Sequence, residues 1–159
     1  MTEIIQVSSD SNVTFQGITA DNLWLVIKLS NTLSANHQKM VASNAISIAE
    51  AHYNEFAWFK AIYAGETPVG FIMLYDDPHE PRYFLWRLMI GGPYQKFGFG
   101  KKAMQLLIEY VRTRPGAKEL LVSCHDGEGS PEGFYARLGF TRTGENVDGE
   151  NVMRLPLED

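Results

Sequence analysis

The sequence predicts a single α/β (α+β) domain over residues 1–159, in which a mixed, mostly antiparallel sheet carries the helices. Three observations predict it. Phe56 to Tyr63 and Val69 to Tyr75 are β-rich runs separated by Ala64-Gly65-Glu66-Thr67-Pro68, a hairpin signature. Between Tyr83 and Cys124 a strand-like run, a helical pattern and a second strand follow one another, and a crossover of that length makes the two strands parallel. With 159 residues, 45% of them hydrophobic, and no low-complexity tract, the chain is long enough for one real core, and a second domain is not expected.

Taken in order, Val13 to Ile18 reads as a first strand and Asp21 to Leu29 as a helix with Thr19 or Asp21 near its cap. A second helix spans Ala42 to Tyr53, followed by the hairpin and then by the central strand, Tyr83 to Ile90. The next helix has the clearest pattern. Ala103, Leu106, Leu107, Tyr110 and Val111 recur at three- and four-residue spacing and form one apolar stripe, while Lys102, Gln105, Glu109 and Arg112 face water. Pro115-Gly116 ends it. Glu119 to Cys124 forms a strand, Pro131 to Leu138 a short helix stopped by Gly139, and Phe140 to Thr143 and Val152 to Leu157 complete the sheet.

The chemistry concentrates in residues 88 to 103. After Ile90 the chain breaks at Gly91-Gly92-Pro93 and passes through Gln95-x-x-Gly98-x-Gly100 into the helical pattern. The first N–H groups of a helix lack intrahelical acceptors and sit at the positive end of its dipole, so a pyrophosphate can accept their bonds. Gly98 and Gly100 let backbone approach an anion closely, and Lys96, Lys101 and Lys102 add positive charge; a tight strand-to-helix connection is the plain alternative. A Gly-x4-Gly-Lys-Ser/Thr phosphate loop fails, because Gly100-Lys101 is followed by Lys102 and position 95 is Gln. Gly98-x-Gly100-x-x-Ala103 matches the dinucleotide fingerprint, but seven residues separate Gly98 from the strand end at Ile90, where that fingerprint needs direct succession.

The loop resembles the acetyl-CoA loop of the Gcn5-related N-acetyltransferases, Gln/Arg-x-x-Gly-x-Gly/Ala after a strand with a hydrophobic-x-Pro element; here Ile90-Gly91-Gly92 fills that element and the proline is displaced to Pro93. Phe134-Tyr135-Ala136-Arg137-Leu138-Gly139-Phe140 is similar to the family's Phe-Tyr-x-Lys/Arg-x-Gly-Phe segment. Phe71 to Leu74, Trp86 to Ile90, Glu109 to Pro115, Gly127-Glu128-Gly129 and Val41-Ala42-Ser43-Asn44 extend the resemblance to bacterial spermine/spermidine acetyltransferases over most of residues 15 to 157. The implied fold is a central twisted, mixed and mostly antiparallel sheet with helices on both faces and a splayed parallel strand pair holding acetyl-CoA.

The resemblance implies roles by motif position. The pantetheine arm pairs with backbone of Leu88, Met89 and Ile90; Gln95, Lys96, Phe97, Gly98, Phe99, Gly100 and Lys101 form the phosphate loop; Phe134 neighbours the cofactor, and Arg137 either approaches a coenzyme phosphate or pairs on the surface. Backbone N–H near Met89 polarises the thioester carbonyl, and Tyr135 protonates or hydrogen-bonds the coenzyme sulfur. An alkylammonium titrates near the lysine value of about 10.4, so a base must remove a proton before attack. Glu50 and Glu55 lie near the region used for the acceptor; either takes that proton, attracts ammonium groups, or is a solvated carboxylate. Asp76, Asp77 and Glu80 form a second acidic group, expected in the loop before the central strand, and Glu145, Asp148 and Glu150 a third; spaced carboxylates could grip a polyamine. Trp86, Tyr53 and Trp58 could wall an aliphatic chain or serve as core. Where many members carry asparagine seven residues before the tyrosine, this chain has Glu128, which cannot donate the amide's bond and is carried only as a neighbour of the cofactor.

The remaining composition bounds the function. A formal charge of −5 speaks against nucleic-acid binding and suits a cationic small-molecule amine, though solubility alone is the plainer explanation. Residues 1 to 30 show no secretory start and no run approaches a membrane span, which gives a cytoplasmic expectation with no membrane partner. Cys124 stands alone and reads as structural; His37, His52, His79 and His125 are scattered without ligand spacing, so no metal is expected. The reading is acetyl-CoA-dependent N-acetylation of a polyamine by direct attack in a ternary complex, with a homodimer as a guess. Its alternatives are the same transfer to an aminoglycoside, amino acid or peptide N-terminus, or a CoA-binding sensor with little turnover.

Overall fold

One seven-stranded sheet, ordered β1-β2-β3-β4-β5-β7-β6, organises the computed structural model, which describes residues 7–157. The strands are β1 (Val13–Gln16), β2 (Ala57–Ala64), β3 (Thr67–Asp77), β4 (Arg82–Ile90), β5 (Glu119–Cys124), β6 (Thr141–Val147) and β7 (Glu150–Pro156). All neighbours pair antiparallel except β4 and β5, the two strands joined by the long crossover. The reading of residues 1 to 30 as lacking a secretory start falls, at positions 1–6, outside the described residues.

Side-chain alternation gives the sheet two apolar faces. Ile62, Ile72 and Leu74 point to one side and meet Ala103, Met104, Leu107 and Val111 of α4 (Phe99–Arg112). Ala61, Phe71 and Met73 point to the other and pack under α1 (Leu23–Leu29) and α3 (Asn44–His52) through Val26, Leu29, Ile48 and Ala51. Each fully buried aliphatic side chain contributes roughly 1.5–3 kcal/mol. Ser43 caps α3 by accepting from Ile46 N–H, which shifts its start from the expected Ala42 to Asn44. At α1 neither expected residue is the cap: Asn22 occupies that place, its Oδ1 accepting from Thr19 N–H at 2.8 Å.

Three departures from the sequence reading matter for function. A helix without an apolar stripe, α2 (Ala35–Met40), is present, capped by Ser34 Oγ from His37 N–H. Asp76 and Asp77, expected in a loop, are buried residues of β3, which runs past the expected Tyr75 to pair Asp76 with Tyr83 and Asp77 with Arg82. The last strands are longer than predicted, and β6 is an open sheet edge with all seven residues exposed; its pairing with β7 is interrupted between Arg142 and Asn146.

The Gly91-Gly92 pair that stands where the resemblance expected a proline has a packing reason. A 3-10 turn, Ser30–Thr32, lies against it: Thr32 Oγ1 donates to Leu29 O at 2.6 Å and accepts from Gly92 N–H at 2.8 Å. A Cβ on Gly92 would come within 2.2 Å of the Thr32 carbonyl oxygen. Gly92→Ala therefore loses about 1–3 kcal/mol of stability in urea unfolding, as overpacking against backbone does; an unchanged midpoint would show that the turn moves away freely.

Candidate functional site

The β4–β5 pair holds for only two steps, Phe84 with Leu121 and Leu85 with Val122. At that point β4 carries an extra residue. On the β3 side, Met73 faces Arg87 and Leu74 faces Leu85, so Trp86 has no partner and forms a bulge, which bends its strand. Beyond it β4 and β5 separate, and the opening is a cleft of about 970 Å³ lined by Leu85 to Ile90, by Val122 to His125, by Phe134, Tyr135 and Arg137, and by Gln95 and Gly100. His37 to Ala42, from α2 and the chain after it, and Asp148 and Glu150 near the β6–β7 turn close the remaining walls.

Backbone direction along β4 is fixed by its contacts with β3. Gly91 N–H donates to Val69 O at 2.8 Å, and the Met89 carbonyl oxygen lies against Gly70. Alternation then turns the peptide groups of Leu88 and Ile90 away from β3, toward the gap. Met89's own N–H faces β3, so the gap-facing N–H groups near it are those of Leu88 and Ile90, and its side chain is buried with Asn44 Nδ2 3.5 Å from the sulfur. The Ile90 carbonyl already accepts from Gln95 Nε2 at 3.0 Å, so Gln95 braces the loop from inside the cleft.

The loop itself turns through two left-handed residues, Lys96 (φ 79°) and Gly98 (φ 81°), the second of which starts α4. The first bond within α4 runs from Lys102 N–H to Gly98 O, which leaves the N–H groups before it without helical acceptors. Gly100 lies on the cleft wall opposite Phe134. Lys96, Phe97, Gly98, Phe99 and Lys101 do not line the cleft; Phe99 is buried and stacks on Phe97 at 5.4 Å. Lys102 donates to the carbonyls of Ser9 and Ser11 and so braces the segment before β1. Gly129 and Pro131 border the cleft where Glu128 does not.

Tyr135 is buried on the cleft wall, and burial pushes its phenol well above the ordinary tyrosine value. It is therefore a protonated donor at neutral pH. Burial likewise pushes up the Cys124 thiol, whose sulfur packs 3.8 Å from that of Met153.

The expected acceptor residues divide sharply. Trp86 lines the cleft. Glu50 does not; its carboxylate is taken by Arg87 Nη2 at 3.3 Å, while Arg87 Nη1 donates to Trp86 O. Tyr53 and Glu55 lie just before β2, whose first residue Ala57 pairs with Tyr75, level with Phe84 and hence on the closed side of the fork. Tyr53 is 93% exposed there. Asp76 does not line the cleft: it is buried, accepting from Tyr110 Oη at 2.8 Å and from Arg114 Nε at 2.9 Å, with Trp58 stacked on Tyr110 at 4.8 Å. That bond and burial push the Tyr110 phenol up to about 12. Reasoning from sequence missed α2, Arg87 and His125 as cleft residues, the capping serine before α2 being the one available signal, whereas Asp148 and Glu150 of the third acidic group do line the cleft.

The model of the acetyltransferase (GNAT) family matches residues 26–140. A spermine/spermidine N(1)-acetyltransferase of Bacillus subtilis (strain 168) is 28% identical over 152 residues, covering 89% of this chain and 97% of that protein. Among solved structures, a microcin C7 self-immunity acetyltransferase in complex with acetyl-CoA and AMP superimposes with a TM-score of 0.73 at 20% identity, covering 92% of this chain and 93% of that one. An aminoglycoside 6'-N-acetyltransferase complexed with coenzyme A gives 0.68 at 17% identity, with 92% and 98% covered.

The place of Asp76 has a measurable consequence. Asp76→Ala removes both acceptor oxygens from Tyr110 and Arg114 and costs roughly 2 kcal/mol in urea unfolding, less than a fully buried pair because Arg114 is partly exposed. Catalytic parameters for an amine acceptor stay within about twofold of wild type; a selective rise in its KM would return Asp76 to the acceptor site.

Proposed function

The chain belongs to the acetyltransferase (GNAT) family, and we propose that it transfers the acetyl group of acetyl-CoA to a primary amine of a polyamine: spermidine, spermine or a related diamine. The observation that carries this reading is the fork at Trp86, which puts a free β4 edge and the start of α4 on one cleft.

The residues present fit the coenzyme. An amide-bearing arm can add to the gap-facing groups of Leu88 and Ile90 as an extra strand would, and the α4 N-terminus, which meets the cleft at Gly100, suits the pyrophosphate, with Arg137 available to a further phosphate. Acetyl-CoA supplies the activated acyl group as a thioester. The N–H groups of Leu88 and Ile90, rather than that of Met89, are the donors available to its carbonyl oxygen as negative charge develops there. Tyr135, held protonated by burial, is the acid for the departing sulfur.

For the acceptor, the relative's name and the Asp148 and Glu150 carboxylates on the wall away from the loop support a polyamine. The cations Lys39 and Arg87 on the same cleft favour a second reading, the same transfer to an amine that also carries an anionic group.

Thiol release from acetyl-CoA, measured against spermine, spermidine, putrescine, aminoglycosides, amino acids and short peptides, separates these readings. Saturation with polyamines alone is the expected result; turnover of an amino acid or peptide alone would move the acceptor to the second class. Tyr135→Phe lowers kcat on the order of 100-fold with CoA affinity held within about twofold; equal rates would remove the phenol from the reaction.

A further inference from the structure

Glu150 is joined in the cleft to a side chain that has no part in the chemistry so far, His125. Glu150, the first residue of β7, places Oε1 3.4 Å from His125 Nε2, and its Oε2 accepts from Ser123 Oγ at 3.1 Å. All three residues line the cleft. Leu120, Val122 and Cys124 point into the core beneath α4, so alternation sends Ser123 to the opposite face, and His125, the first residue after β5, joins it on the cleft wall. His125 follows β5 directly, past the last β4–β5 pair at Val122, and so lies on the separated part of the fork, on the cleft that Leu88 also lines. Its side chain is 49% exposed, and among the described residues no hydrogen bond engages Nδ1. Glu50, by contrast, is held by Arg87 and does not line the cleft.

We propose that His125 is the general base that takes the proton from the acceptor ammonium, and that Glu150 is its positioning partner. This rests on the acetyl-transfer reading above. The Glu150 carboxylate beside Nε2 favours the tautomer that carries its proton there, which leaves Nδ1 its lone pair. An N–H bond of R–NH3+ breaks and its proton joins Nδ1, giving an imidazolium whose charge the carboxylate offsets; this proton later leaves to solvent. The freed amine lone pair forms the N–C bond to the acetyl carbon as the C–S bond breaks. The sulfur departs with the C–S electron pair and receives the Tyr135 proton, and the new amide nitrogen returns one proton to Tyr135. The net reaction yields the acetamide, the free thiol and one proton.

Other charged groups border the same space: Arg87 from β4, His37 and Lys39 from α2, Arg137 from α5 (Glu132–Arg137), and Asp148 beside the β6–β7 turn. Asp126, next in sequence to His125, is engaged by Arg142 Nη2 and Asn151 Nδ2. His37 is the one other imidazole on the cleft wall among the described residues, so His37→Asn is the control.

The test compares wild type, His125→Asn, Glu150→Gln and His37→Asn, using spermidine or whichever amine of the panel wild type acetylates fastest, and the β,β-difluorinated analogue of that amine. Fluorination withdraws electron density from the nitrogen, so a far larger fraction is unprotonated at neutral pH and the reaction depends far less on a base. His125→Asn should lose on the order of 100-fold in kcat on the ordinary amine and less than about fivefold on the analogue, with acetyl-CoA affinity within twofold of wild type. Glu150→Gln should lose about tenfold in kcat on the ordinary amine with KM within about twofold, and less than about twofold in kcat on the analogue, because it acts only through the base. Equal losses on both amines, no loss in His125→Asn, or the amine-dependent loss appearing in His37→Asn instead would each overturn the base assignment alone. Wild-type protein that acetylates no amine of the panel would overturn the acetyl-transfer reading and the base with it.

Discussion

One surplus residue in β4 governs the active half of the molecule. Trp86 has no partner across β3, and the strand pair on its other side ends one residue earlier, at Leu85 with Val122. The sheet continues without a break on the β3 side, so β4 stays anchored while its other edge is released. Backbone that would ordinarily bond to β5 is thereby left facing a cleft, in a core that would otherwise have no use for an unpaired strand edge. The turn into α4 begins from the end of this same strand and is braced to it by Gln95 on the Ile90 carbonyl. Strand edge and helix start are in consequence positioned together by one short stretch of chain.

Much of this was legible in the letters because it depends on local rules. The α4 stripe, the hairpin between β2 and β3, the parallel crossover and β5 from Glu119 to Cys124 follow from periodicity, turn chemistry and handedness, although the expected five-residue turn, Ala64 to Pro68, tightens to Gly65-Glu66. What stayed hidden depends on contacts between distant segments. The bulge at Trp86 has no turn residue to announce it, and α2 is too short and too polar to carry a stripe. Gly91-Gly92 looked like a blemish in a motif until Thr32, far away in sequence, proved to sit against it.

Carboxylates were the hardest residues to read. By composition Asp76, Glu50 and Glu150 are alike, and only the partners that the fold brings to each tell them apart: Tyr110 with Arg114, Arg87, and His125 with Ser123. Asp76 ended as a structural anchor beneath α4, whereas the third acidic group, near the β6–β7 turn, supplied the carboxylates on the cleft. Met89 gives the same lesson on a smaller scale. A motif marks a stretch of strand, but which of three successive residues offers its N–H to the gap depends on strand parity, and parity is set by the pairing with β3.

The open edge at β6 bears on how the protein behaves in crowded solution. An exposed strand is a template for pairing with another chain, and seven exposed residues would normally be long enough to recruit one. Here the ladder is broken between Arg142 and Asn146, Gly144 takes a left-handed turn within it, and Arg142 is drawn toward Asp126 and Glu132. An incoming strand would meet a kinked row of donors and acceptors studded with charge. The irregularity thus acts as a built-in guard against edge-to-edge aggregation, keeping the side of the sheet next to the cleft free of stray β-pairing.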